Sequence, residues 1–222
     1  MATTPHPAKF SAQHLAMIDE ELSALFPYTS PPLVLDPFSG VGTIFELPYY
    51  IIGLEIEEEW IRQENPRHIW ADAIEWMKRP DTAGYFDAVV TSPTYGNRMA
   101  DHHEAKDGSK RHTYRHYLGR KLSDNNSGAL QWGNAYREFH EDAWRGVYRV
   151  LKPGGVFLLN VKDHIRKGKI ERVSMWHMSM CQEIGFVIEK ITEVPVKGLR
   201  HGANSETRTA NEWLIRMRKP VD

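Results

Sequence analysis

Apolar positions along the chain fall into short runs separated by longer amphipathic stretches. Leu33-Val34-Leu35, preceded by the breaker pair Pro31-Pro32, and Tyr50-Ile51-Ile52-Gly53-Leu54 are apolar at consecutive positions. That is the pattern of strands covered on both faces. His68 to Ala71 is a weaker third run, Phe86 to Val90 a fourth and Val156 to Val161 a fifth; Phe186 to Ile191 and Trp213 to Met217 supply two more. Phe10 to Phe26 reads as a leading helix. Tyr136 to Leu151 is a stronger one, with Phe139, Ala143, Val147 and Val150/Leu151 on one face and a stop at Lys152-Pro153-Gly154-Gly155. Glu171 to Ile184 is another, ended by Gly185. The alternation predicts an α/β fold: a mainly parallel seven-stranded sheet flanked by helices, in one domain spanning residues 1–222.

One stretch breaks the pattern. Asn97 to Asn134 is polar, glycine-dotted and without clear periodicity, and it follows the fourth strand directly. Long irregular segments inside a compact domain are usually functional or disordered, and open α/β sheets bind ligands at the carboxyl ends of their strands. The segment is expected to be mobile alone and to order over a partner. Charge distribution agrees. The net charge is only −1, yet acids dominate from Glu46 to Asp87, including Glu57-Glu58-Glu59, whereas Arg98 to Lys121 is basic. Basic residues interleaved with Tyr114, Tyr117 and Trp132 suit phosphate contacts combined with base stacking.

Composition narrows the class. With 41% hydrophobic and 26% charged residues the chain has the makings of an ordinary core. No apolar run reaches the roughly 18 residues of a membrane helix, and the N-terminus lacks a signal-peptide pattern, so a cytoplasmic protein without a membrane partner is expected. Cys181 is the only cysteine, which excludes an intrachain disulfide. No metal site is expected, because the histidines at 102, 103, 112 and 116 come with no cysteine and no fixed acid pattern.

Candidate chemistry gathers at strand ends. After the first strand, Asp36-Pro37-Phe38-Ser39-Gly40-Val41-Gly42-Thr43 forms a glycine turn leading into an expected helix. Its amides and the helix start would favour a carboxylate or phosphate. Glu55 ends the second strand, where an acid typically binds a ribose hydroxyl. Asp72 follows the third and can accept from an adenine amino group. Three such positions suit a ligand with amino-acid, ribose and adenine parts. No Gly-Lys-Ser/Thr follows Gly42, so nucleoside triphosphate hydrolysis is not expected.

The fourth strand ends in Thr91-Ser92-Pro93-Thr94-Tyr95-Gly96. With the Asp36 to Thr43 loop, this resembles the amino-methyltransferases that act on DNA cytosine N4 or adenine N6, whose hallmark is (Asp/Asn/Ser)-Pro-Pro-(Tyr/Phe) after that strand. His6-Pro7-Ala8-Lys9-Phe10 resembles the segment these enzymes carry before the glycine loop, and Leu151-Lys152-Pro153-Gly154-Gly155 is widespread among methyltransferases using S-adenosylmethionine (SAM). The resemblance covers most of the chain outside Asn97 to Asn134. It implies a Rossmann-like fold, SAM as cofactor, DNA as partner, a monomer or homodimer, and a role in DNA methylation such as restriction-modification.

Residue by residue, the resemblance implies a SAM site of Lys9, Phe10, Asp36, Pro37, Phe38, Ser39, Gly40, Gly42, Thr43, Glu55, Ile56, Asp72, Ala73 and Ser92. Ser92, Pro93 and Tyr95 would be catalytic. An exocyclic amine is a poor nucleophile because its lone pair is delocalised into the ring; acceptors at its hydrogens, Ser92 Oγ and the Pro93 carbonyl, favour a pyramidal nitrogen. Tyr95 would stack on a flipped-out base. Substrate contacts are expected from Thr94, Tyr95, Asn97, Arg98, Lys110, Arg111, Arg115, Arg200 and Asn204. Ser92 is the variant common among cytosine-N4 enzymes, so N4 is favoured, with adenine N6 or an RNA base amine as alternatives. Cytosine-C5 chemistry would need a cysteine nucleophile, and Cys181 lies on a late helix. Thr94 departs from the pattern, which has a second proline there; a decayed, non-catalytic SAM- and nucleic-acid-binding module is the alternative of a different class.

Overall fold

The computed structural model describes residues 6, 9–96, 113–166, 168–195, 209 and 211–221. Nine strands form among them: β1 (Leu33–Asp36), β2 (Tyr50–Glu55), β3 (His68–Trp70), β4 (Phe86–Thr91), β5 (Leu151–Val161), β6 (His164–Arg166), β7 (Lys169–Glu171), β8 (Val187–Pro195) and β9 (Asn211–Arg218). Seven of them build one sheet in the order β3-β2-β1-β4-β5-β9-β8, while β6 and β7 form a separate hairpin. Neighbours from β3 to β5 run parallel. β9 enters antiparallel between β5 and β8. The expected mainly parallel, seven-stranded sheet is therefore present, and the strand order reverses at β1/β4, where such sheets bind ligands.

Consecutive residues of the central strands bury on opposite faces, which is why their runs lack polar alternation. Val34, Ala88, Val90, Val156 and Leu158 pack with Leu15, Ile18 and Leu22 of helix α1 (Ala12–Leu25). Leu35, Val89, Phe157 and Leu159 pack on the other face with Ala143, Trp144 and Val147 of α4 (Asn134–Val150) and Cys181 of α5 (Val173–Ile184).

Four features differ from the sequence expectation. The glycine loop is followed not by an α-helix but by a single 3-10 turn, Thr43–Glu46; only thirteen residues, 37–49, separate β1 from β2, too few for a helix and its two turns. Helix α4 stops at Val150, as expected, but the Lys152–Gly155 stretch does not precede the strand. It lies inside β5 as an irregularity, the pairing jumping from Phe86–Leu151 to Ala88–Val156. Two short helices go beyond the sequence reading, α2 (Ala73–Met77) and α3 (Tyr114–Leu118), each about one turn and too short to show a period.

The fourth difference concerns the basic insertion. Its described part, 113–134, is folded against the domain. Glu57 is fully buried and accepts from Ser123 N (2.8 Å), Ser123 Oγ (2.9 Å), Asn126 Nδ2 (2.7 Å) and Arg120 Nη2 (2.7 Å). Arg120 also reaches Glu59 at 2.6 Å. The acidic run and part of the basic segment thus neutralise each other inside the molecule. Residues 97–112 lie outside the described set.

Candidate active site

A cavity of about 830 Å³ opens along the carboxyl ends of the parallel strands, within the roughly 300–1,000 Å³ of small-molecule sites. Its floor on one side is the β1 loop with Pro37, Phe38, Ser39, Gly40 and Thr43, then Glu55 and Ile56 after β2, and Asp72 and Ala73 after β3. Lys9 and Phe10 close it from the N-terminal segment, Tyr114, Asn126 and Ser127 from the insertion.

The loop's shape has internal causes. Gly42 has φ +68°, and a Cβ there would stand 2.6 Å from Phe45 Cδ2, so any other residue meets both strain and collision. Ser39 Oγ donates to the Leu54 carbonyl (2.9 Å) and lies 3.1 Å from His68 Nε2. His68 Nδ1 accepts the Arg62 amide at 2.9 Å, so its proton sits on Nε2 and points to Ser39. Burial, with the Arg62 charge, lowers this histidine to about 4 and keeps it neutral. Asp72 caps α2 through Oδ1 (Ile74 N, 2.9 Å) and receives Asn125 Nδ2 on Oδ2 (3.2 Å).

Two acids in this half are strongly desolvated. Burial raises Glu55 to about 7; amide hydrogen bonds, chiefly from Glu57, oppose this. Burial raises Asp36 to about 7 as well, against hydrogen bonds from Thr91 Oγ1 (2.7 Å) and Phe38 N (3.1 Å) to Oδ1. Asp36 Oδ2 is buried with no partner among the described residues.

The other half of the cavity holds the Ser92-Pro93-Thr94-Tyr95 turn. Ser92 Oγ lies 2.8 Å from the Tyr95 hydroxyl, and Tyr95 donates to Glu212 Oε2 at 3.3 Å. Asn160 Nδ2 sits 3.3 Å from Ser92 Oγ, 3.2 Å from the Tyr95 hydroxyl and 2.8 Å from Glu212 Oε2. His14 Nε2 approaches the same carboxylate at 2.9 Å. Burial would raise Glu212, but the hydrogen bonds of His14 and Asn160 and the charges of His14 and Lys162 outweigh it and hold the carboxyl below its ordinary value. An ionised Glu212 only accepts, so it takes the Tyr95 proton. Ser92 then donates to Tyr95, which leaves lone pairs on Ser92 Oγ facing other donors.

The half of the cavity built on the Ser92 to Tyr95 turn falls within a match to known proteins. A family model described as DNA methylase, of the N6/N4 methyltransferase type, matches residues 86–221, more than half of the 222 residues. The chain belongs to this DNA methylase family. No curated protein matches it in sequence. Among solved structures, a protein assigned as a DNA modification methylase of Thermus thermophilus is 20% identical over 66% of this chain and 50% of its own, with a TM-score of 0.41; the chain thus spans half that protein's length. A SAM-dependent methyltransferase of Methanosarcina mazei is 14% identical, covering 86% and 93% of the two chains with a TM-score of 0.54. The [4+2]-cyclase SpnF is 15% identical, covering 97% and 85% with a TM-score of 0.57. The likeness to the last two establishes the fold, and the cyclase illustrates that the fold alone does not name a reaction.

In this methylase-family chain, twelve of the fourteen residues read as a SAM site line the cavity. Asp36 and Gly42 do not: Asp36 lies beneath the wall, tying β1 to Thr91 of β4, and Gly42 faces Phe45. Ser92, Pro93, Thr94 and Tyr95 all line it. Arg115 does not, and its Nε is buried without a partner among the described residues. Asn97, Arg98, Lys110, Arg111, Arg200 and Asn204 lie outside the described residues. His14, Asn160 and Glu212 escape sequence reasoning. Asn160 leaves a usable trace, a polar residue inside the apolar run of β5; His14 and Glu212 look like ordinary surface residues until the fold brings α1 and β9 together.

Proposed function

We propose that this chain transfers the methyl group of SAM to the exocyclic amine of a DNA base, with cytosine N4 as the first candidate. One observation carries the reading: Glu55, Asp72 and the glycine loop share a single cavity with the Ser92 to Tyr95 turn. In this reading Glu55 takes ribose hydroxyls and Asp72 the adenine amine, and the loop amides suit the methionine carboxylate. When bound there, SAM supplies an electrophilic methyl group. The protein's own part is positioning and electrostatics. Ser92 Oγ, its proton committed to Tyr95, accepts one amine hydrogen of the base, and the Pro93 carbonyl accepts the other. Tyr95, anchored by its hydroxyl, offers its ring for stacking. Cytosine N4 is favoured over adenine N6 by Ser92, and the basic insertion, 97–134, is the candidate target-recognition region.

The test is incubation of the protein with labelled SAM and DNA or RNA, followed by mass spectrometry of the nucleosides. N4-methylcytosine in DNA is the expected product. N6-methyladenine alone would keep the chemistry and overturn the base, methylated RNA alone would overturn the substrate, and SAM binding without any methylated nucleoside would favour the non-catalytic reading.

A further inference from the structure

Thr94 stands where the family pattern places a second proline, and the turn around it is held in another way. The Tyr136 hydroxyl, on α4, lies 2.7 Å from the Thr94 carbonyl and 3.0 Å from His177 Nε2 on α5. The indole Nε1–H of Trp144 points to His177 Nδ1 at 2.9 Å. An indole only donates, so Nδ1 accepts and the imidazole proton is on Nε2. Nε2–H then donates to the Tyr136 oxygen, and the Tyr136 proton goes to Thr94. Each donor in this chain has one acceptor, with a single consistent direction from the core to the motif. Tyr136, Trp144 and His177 are fully buried. Burial holds His177 well below its ordinary pKa, which keeps it in the neutral form that the relay requires.

Two further contacts fix the same turn. Thr94 Oγ1 donates to Ser127 Oγ of the insertion at 3.1 Å, and Trp132 N donates to the Gly96 carbonyl at 3.1 Å. Gly96 has φ +67°, and a Cβ there would stand 2.9 Å from Trp132 N. Proline restricts a turn by closing a ring on φ. A buried hydrogen bond to the carbonyl restricts the same residue from its other side, through the peptide that follows it.

We propose that Tyr136, oriented by His177, is a positioning residue for the Ser92 to Tyr95 turn and takes over the restraint that a second proline would supply. The inference rests on the proposed amine methylation for its kinetic readout but not for its structural one. Among the described residues nothing accepts from the Thr94 N–H, so a proline at 94 sacrifices no backbone hydrogen bond to any of them. The restraint should therefore be interchangeable.

The experiment compares the parent, Tyr136→Phe, Thr94→Pro and the double variant, using the full chain. In Tyr136→Phe, kcat for methyl transfer should fall about ten- to a hundredfold, while SAM affinity by calorimetry stays near the parent's. Adding Thr94→Pro should return most of the lost kcat. Independently of activity, hydrogen exchange at the Tyr95 and Gly96 amides should quicken in Tyr136→Phe and slow again in the double variant. A kcat within twofold of the parent in Tyr136→Phe, or a double variant no better than Tyr136→Phe by both readouts, overturns the proposal. If the parent methylates nothing, the amine-methylation reading fails, and the exchange comparison alone still decides the positioning claim.

Discussion

The two halves of the cavity treat their polar groups differently. Under the ends of β1 to β3, acids are buried with acceptor capacity to spare: Glu55 and Asp36 are both raised to about 7, and one Asp36 oxygen has no partner among the described residues. At the ends of β4, β5 and β9, Ser92, Tyr95, Asn160, Glu212 and His14 bond to one another, and the turn behind them is clamped through Tyr136. Asp36 lies beneath the cavity wall, so in the first half it is Glu55, which lines the cavity, that has the character of a receptor completed by a ligand. The second is preorganised, its donors and acceptors already aimed, which is what transition-state stabilisation by fixed dipoles requires. Affinity and rate should therefore separate cleanly between the halves.

The largest expected effect attacks the receptor half. Gly42→Val forces a β-branched residue into a left-handed conformation and against Phe45, and SAM binding should vanish from calorimetry. Unchanged affinity in a folded variant would break the comparison at once. In the preorganised half, Ser92→Ala should lower methyl transfer about ten- to a thousandfold with SAM affinity almost intact. A parallel loss of SAM affinity would mean that the halves are not separable.

A pH titration sharpens the contrast further. Burial raises Glu55 to about 7, and ribose hydroxyls donating to it, as proposed, would favour the carboxylate. SAM binding should release a proton, so affinity rises with pH by up to about tenfold per unit below 7 and levels off above it. For the ligand-free fold the sign is opposite. Asp36 and Glu55 hold protons in the folded state that the unfolded chain, with ordinary values of 3.8 and 4.5, has already shed. Their contribution to stability is therefore greatest at low pH and is lost as pH rises from about 4 to 7, measurable as a falling melting temperature over that window. The smallest effect concerns the insertion. Replacing Lys110 and Arg111 should flatten the salt dependence of DNA affinity by roughly two units at most. Arg120→Ala should leave that slope alone and loosen the insertion instead, since Arg120 is already paired with Glu57 and Glu59.

What the sequence disclosed and what it withheld have different physical origins. The strands and long helices follow from period and burial, local properties that survive without knowledge of the partners. The cavity residues after β1, β2 and β3 were legible because they cluster at consecutive strand ends. Glu212 was not: it reaches Asn160 only because β9 pairs antiparallel with β5, opposing Asn160 with Leu214. His14 was hidden for the same reason, 198 residues from its partner. The absence of a helix after the glycine loop could have been anticipated from the thirteen-residue spacing between strands. The folding of 113–134 could not, because its cause is a single buried acid, Glu57, within a run that reads as solvated charge.

The antiparallel entry of β9 has a consequence for how the molecule assembles. β8 precedes β9 in the chain but has no place in the sheet until β9 lies between it and β5. Closure of the sheet and delivery of Glu212 to Tyr95 and Asn160 are thus the same step, and it depends on long-range pairing, from Val161 with Trp213 to Val156 with Arg218, a slow class of contact. A chain that has formed β1 to β5 already carries the glycine loop, Glu55 and Asp72, yet its Tyr95 hydroxyl lacks the Glu212 carboxylate that takes its proton. The order of folding would separate an early state with the glycine-loop half complete from a late one with the Ser92 to Tyr95 half complete.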